Sequence, residues 1–329
     1  FALVRKHREA SGPNTAVLMQ CGKFYEVYGY ADDEEGVHSP MYEVANICDL
    51  KVARRGSGGA NAGGGGNGNS GAAGENNSRM TGVPVATMDK YVEILLDAGW
   101  TVAVYAQSSI PGRTDRSLTH TFTPGTFFSD STGVSNNFVV LWAEYRPMSV
   151  VRPHDALFFG LACLDNMAGT VTLDEHSRAP LMQDSTDFDW VQEQAIAYNP
   201  REIRVVAGNE RSAEHAHRIA KAMGQLCPQA AVRVHLHTEP HTINAQKQAY
   251  QDEVVRICYG DSKAPESLTL MTQPHAASAL TLLLAEAKAA DPSLVQRLDR
   301  PLLSTAVPHL TMANHSLRQL NIVHTPNGT

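Results

Sequence analysis

The sequence predicts an α/β protein built as two consecutive α/β units followed by the start of a helical segment. Three observations carry that expectation. Strand-length apolar runs alternate with segments of helical period along most of the chain. Residues 56–74, made only of Gly, Asn, Ala and Ser, interrupt the first set of elements as an insertion with nothing to bury. From residue 138 the order changes: three strand-like runs come first, and helix and strand alternate after them, the pattern of a mixed sheet.

Taken in order, Ala2 to Ala10 reads as a short polar helix. Ala16 to Tyr28 reads as a strand pair bent at Gly22. Met41 to Leu50 is helical, Lys51 to Arg54 a strand, and Arg79 to Val85 a strand and turn. Met88 to Leu96 is an amphipathic helix with Tyr91, Ile94 and Leu95 on one face, ended near Gly99. Trp100 to Gln107 and Leu118 to Thr123 are strands. In the second unit, Phe138 to Glu144, Leu157 to Leu164 and Thr170 to Leu173 are strands, the last two joined as a hairpin at residues 165–169. Helices at 189–198 and 212–226 alternate with strands at 203–207 and 231–237. Residues 245–259 and 276–290 are helical, and 310–322 begins a further element. The expected boundaries are 1–130, with its insertion at 56–78, then 131–260 and 261–329.

The 329 residues suffice for two cores and an incomplete third. No run reaches the roughly 18 apolar residues of a membrane span. The first residue is Phe1, not Met, and the chain reads as a fragment of a longer protein. Five cysteines without a C-x-x-C pair argue for a reducing intracellular compartment and against a disulfide framework or a zinc ribbon. The net charge is −7, split as −3 in residues 1–130 and −4 in the remainder. That is a poor footprint for a nucleic-acid binder, so any such contact is expected to be local.

The run Gln20-Cys21-Gly22-Lys23-Phe24-Tyr25-Glu26 is the most informative stretch. In a strand, Phe24 and Glu26 share a face and Tyr25 points to the other. An apolar wedge beside a hydrogen-bond acceptor can open a base step in duplex DNA and hold the disturbed base. The alternative is an ordinary sheet face.

Four blocks in order resemble the N-terminal half of the MutS mismatch-recognition family. Gly22-Lys23-Phe24-Tyr25-Glu26 is similar to its G-x-F-Y-E signature. Thr81-Gly82-Val83-Pro84 followed by Asp89-Lys90-Tyr91 is similar to its G-V-P block and Tyr-bearing helix. Val102 to Gln107 resembles a strand that ends in Glu-Gln, with Ala106 replacing the Glu. Thr123-Pro124-Gly125-Thr126 matches its T-P-G-T. Residues 160–169 and Asn199-Pro200-Arg201-Glu202-Ile203 resemble its connector, and Met312 to Ile322, with Asn314, Leu317 and Leu320, its core or lever domain. Ile47 to Leu50, Tyr105-x-Gln107 and Gln319 to Ile322 resemble most the branch of giant viruses and octocoral mitochondria, which would place the protein in a viral factory or mitochondrion.

The resemblance implies a mismatch-recognition domain with a mixed sheet, an RNase-H-like connector and the start of a helical lever. It implies that Phe24 inserts beside a mispaired or unpaired base of double-stranded DNA and that Glu26 accepts a hydrogen bond from the displaced base. Lys23, Arg54, Arg55 and Arg79 are candidates to meet phosphates; solvated surface charge is the competing account for each. ATP and magnesium, and most contact with a second MutS-type subunit, are implied for regions other than these. This chain is therefore expected to be no enzyme by itself and to hold no cofactor. A structural or interaction protein that keeps the scaffold and has lost DNA recognition is the alternative, favoured by the acidic charge and by Ala106.

Other motifs carry less. Gly63-x-Gly65-x-x-Gly68 lacks a following apolar helix, and no G-x-x-x-x-G-K-[ST] occurs. Asp165 has no acidic cluster to make it a nuclease carboxylate. His235, His237 and Glu239 alternate as on one strand face, with His241 near; a metal site there is weighed against a solvated strand end, and no metal is assigned.

Overall fold

A computed structural model describes residues 1–33, 36–54, 78–108, 115–127, 136–147, 155–178, 188–263 and 272–304. Arg55, most of the Gly-rich insertion with its Gly63–Gly68 fingerprint, and the 310–322 segment with Asn314 lie outside the described residues. The chain divides into two units, Phe1–Thr123 and Pro124–Thr329. Each carries a mixed six-stranded sheet with helices, the α/β class that the alternation of elements predicts.

In the first unit the sheet order is β3-β4-β2-β1-β5-β6, with β1 Thr15–Cys21, β2 Phe24–Tyr30, β3 Ala53–Arg54, β4 Ser78–Pro84, β5 Thr101–Gln107 and β6 Arg116–Phe122. Strand β1 is central because its apolar run can be buried on both faces; Thr15 to Leu18 are fully buried. It pairs antiparallel with β2 through a two-residue turn and parallel with β5. The parallel pairing needs a crossover, and the helices α2 (Met41–Ile47) and α3 (Met88–Asp97) lie within it. One face of the sheet is covered by α1 (Ala2–Ser11), whose Val4 packs with Val17, Ala103 and Tyr105. The buried stripe of α3 is Val92, Leu95 and Leu96. The expected stripe of Tyr91, Ile94 and Leu95 was rotated: Tyr91 and Ile94 sit at its half-buried border.

The second unit has sheet order β11-β10-β7-β8-β9-β12, where β12 is Leu302–Leu303. Strands β7 (Asn137–Pro147), β8 (Asp155–Asp165) and β9 (Thr170–Arg178) form an antiparallel meander. Strands β10 (Glu202–Ala207) and β11 (Ala231–His235) continue the sheet parallel to β7. Strict alternation along β7 divides two cores. Val139, Leu141 and Ala143 pack toward α4 (Asp189–Tyr198) and α5 (Ala213–Leu226). Phe138, Val140 and Trp142 pack on the other face, toward α7 (Gln248–Lys263) and α8 (Pro274–Ala290). Each such buried aromatic or aliphatic side chain contributes about 1.5–3 kcal/mol.

Several boundaries differ from the sequence expectation. Strand β9 runs to Arg178, because its second half is polar yet still pairs with the long β8. The expected helix 245–259 is two helices, α6 (Pro240–Ala245) and α7, since Pro240 fits the first turn of a helix and starts one early. The expected strand 231–237 stops at His235. Helix α8, expected within the helical segment after residue 260, is the inner layer of the second unit and buries most of its residues on the sheet.

Candidate nucleic-acid interface

The turn end of the first sheet gathers the candidate residues. Gly22 has φ 60°, which opens a two-residue hairpin between Cys21 and Phe24, the geometry that favours glycine at the first loop position. Phe24 is therefore the first residue of β2, paired with Cys21 on one side and Pro84 on the other. It is 49% exposed, whereas Tyr25 next to it is 7% exposed. Glu26 shares the Phe24 face and is half-buried, as the two-residue period demands. The expected facing is observed: Phe24 and Glu26 share one face, with Phe24 exposed and Glu26 half-buried, and Tyr25 is in the core on the other.

Glu26 stands opposite Gly82 of β4. A Cβ at Gly82 would lie 2.9 Å from the Tyr25 carbonyl oxygen and 3.3 Å from Glu26 Cγ, so glycine is what lets the Glu26 side chain occupy this register. The Tyr28 hydroxyl donates to Glu26 Oε2. Cys21 Sγ lies 3.1 Å from the same hydroxyl, and Arg116 Nη2 donates to that sulfur at 3.0 Å. With Tyr28 donating to the carboxylate, the thiol proton must point at the phenol, so a hydrogen-bond chain runs Arg116 to Cys21 to Tyr28 to Glu26. Burial first, then the hydrogen bonds with Cys21 and Glu26, drive the Tyr28 hydroxyl far above its ordinary range. It stays protonated and remains a donor that fixes the carboxylate.

Lys23 is exposed in the turn, beside Phe24. Arg116 was not singled out from the sequence, yet its Nε donates to the Gln20 carbonyl at 2.6 Å and brings a second cation to this end. Nothing in the local sequence marks it; only the β5–β6 pairing of Gln107 with Arg116 places it there. Val85 and Leu118 are exposed apolar neighbours at or near the same end. Arg54 and Arg79 are not brought to Phe24. They pair with each other across β3 and β4, and Arg79 faces Gly29, five residues along β2 and about 17 Å from Phe24. Ala106 sits opposite Ser117 at this end, where a Glu would have added negative charge.

Residues 67–131 match the family described as MutS domain I. The chain is 34% identical over 176 residues to DNA mismatch repair protein MutS 2 of Halobacterium salinarum, covering 51% of this chain and 16% of that protein. It is 26% identical over 219 residues to DNA mismatch repair protein MutS of Streptococcus agalactiae, covering 65% and 20%. The likeness to a putative DNA mismatch repair protein MutS homolog of Acanthamoeba polyphaga mimivirus extends over 99% of this chain and 29% of that protein, at 21% identity. The chain thus spans less than a third of the length of each of these relatives. Among the described residues, no helix is long and apolar enough to cross a membrane.

Proposed function

We propose that this chain contributes the mismatch-sensing part of a DNA mismatch repair protein, with Phe24 as the wedge and Glu26 as the acceptor. The observation that carries the reading is the pairing of a half-exposed Phe24 with a carboxylate on the same strand face, held by Tyr28 at a hairpin end. A mismatched step costs less to unstack and kink than a paired one, so the wedge discriminates by deformability. On perfect duplex, Glu26 meets no displaced base and stands near phosphate, which penalises the wrong target.

Lys23 and Arg116 supply local positive charge at the wedge end of a chain of net charge −7. Arg54 and Arg79 belong to a separate site about 17 Å away, some five phosphates along one strand. The reading assigns DNA contact to these residues. ATP with magnesium, and the partner subunit that closes a clamp, belong to sequence other than these 329 residues.

The acidic balance favours a second reading, a MutS-like scaffold without DNA recognition. A salt titration of the chain against a duplex and the same duplex with one mismatch separates the two. The first reading predicts tighter binding to the mismatch at every salt at which binding is measurable. Equal affinities throughout the titration would establish the second.

A further inference from the structure

His235 closes β11, and a turn then brings back to it Glu239, which precedes α6, and His241, the second residue of α6. The three ligand-type atoms converge. His235 Nδ1 and Glu239 Oε2 are 2.7 Å apart, His241 Nε2 and His235 Nδ1 2.9 Å, and His241 Nε2 and Glu239 Oε2 2.9 Å. His237, which the alternating pattern grouped with them, is not part of the cluster, because the strand ends at His235 and the chain turns.

Every placement of protons on this triangle leaves one edge without a hydrogen bond. If one imidazole carries the shared proton, it serves two edges and leaves two lone pairs facing each other on the third. If both imidazoles carry protons there and donate to Glu239, the 2.9 Å edge between them joins two donors. A cation at the apex satisfies all three edges at once. A triangle of these sides admits an ion about 2.0–2.1 Å from each atom, the length of bonds from zinc to imidazole and carboxylate. The angles at the ion are then about 90°, one face of an octahedron, as in two-histidine, one-carboxylate sites.

The surroundings fit the same ligand. On the far side of the ring, His235 Nε2 faces Glu286 Oε1 of α8 at 3.4 Å, and Glu286 Oε2 accepts from Arg204 Nε at 2.9 Å. At 3.4 Å the approach of Glu286 to His235 is a charge contact and not a hydrogen bond, and His235 Nε2 is buried without a hydrogen-bond partner. Glu239 and His241 are about one-third and two-fifths exposed, so solvent can complete the coordination.

We propose that His235, Glu239 and His241 bind a borderline divalent cation such as zinc, cobalt or nickel, in a site that ties the end of β11 to α6. It lies in the second unit and is independent of the wedge.

The test is titration of the tag-free 329-residue chain with Zn²⁺ by calorimetry, and with Co²⁺ by its visible absorption. One equivalent of Zn²⁺ is expected to bind, to raise the melting temperature, and to release on addition of EDTA. His241→Ala, a change at a partly exposed helix residue, is expected to weaken binding at least about tenfold, as is Glu239→Gln, and both are expected to lose the Zn²⁺-dependent rise in melting temperature. His217→Ala, at an exposed histidine of α5, controls for adventitious binding and is expected to change neither. Absence of stoichiometric binding to the folded chain, or binding that survives both His241→Ala and Glu239→Gln, would overturn the proposal.

Discussion

Both sheets set a glutamate opposite a glycine, and they use the pair in opposite ways. In the second sheet Glu175 faces Gly160, and helix α8 fills the space that the missing side chain leaves. A Cβ on Gly160 would lie 2.0 Å from the His275 carbonyl carbon. Glu175 is saturated by that helix: its carboxylate accepts from the backbone N–H groups of His275 and Ala276 at 2.8 and 3.0 Å, and its other oxygen lies 3.1 Å from His275 Nδ1. A carboxylate at a helix N-terminus is well placed for charge and hydrogen bonding alike. In the first sheet Glu26 faces Gly82, and the atoms nearest a Cβ there belong to Tyr25 and Glu26 themselves. The Tyr28 hydroxyl holds Glu26, and Phe24 beside it is half exposed. The same cross-strand pair is closed by the protein's own helix in one unit, and in the other is displayed at a sheet end. Only the second arrangement leaves chemistry for a ligand.

That contrast sets an order of effects. Gly160→Ala should be the most damaging change, because the clash is with backbone atoms of α8 that cannot rotate away. We expect a loss of about 3 kcal/mol or more in urea denaturation, or failure of the second unit to fold. A near-neutral result would mean that α8 does not sit on β8 as described. Gly82→Ala meets one carbonyl oxygen at 2.9 Å and a flexible side chain at 3.3 Å, so a smaller cost of about 1–2 kcal/mol is expected, with Glu26 displaced. Tyr28→Phe removes one donor and should cost about 0.5–1.5 kcal/mol in the same denaturation. Its sharper signature is in recognition: the ratio of mismatched to matched affinity should fall without vanishing, since the wedge remains while its acceptor is no longer fixed.

The legible part of the fold was where the period was strong. The β1–β2 hairpin, α3, the β7–β9 meander and α4 all lie within a few residues of their expected places, because apolar alternation and Gly or Pro breaks mark them locally. Packing was not legible. Helix α8 is apolar nearly all round, a sign of burial, but its sequence does not say which sheet buries it. Phe24, Tyr25 and Glu26 could be divided between faces from the two-residue period alone. Arg116 could not be found, because its arrival at Cys21 depends on pairing across 95 residues. Arg54 and Arg79 were grouped with Lys23 by charge, and register separates them. The His235 cluster was sensed as alternation and assembled by a turn, which placed His241 in it and left His237 out.

The central claim is that Phe24 senses mismatches and does not merely fill the sheet. Half exposed at the first residue of its strand, it should contribute little to folding, so Phe24→Ala is expected to stay within about 1 kcal/mol of the parent chain in urea. The decisive measurement is the ratio of affinities for mismatched and matched duplex, by fluorescence anisotropy at low salt, in the parent chain and in Phe24→Ala. A preference of about tenfold, roughly 1.4 kcal/mol, is expected in the parent and none in the folded variant. A preference that survives Phe24→Ala would contradict it.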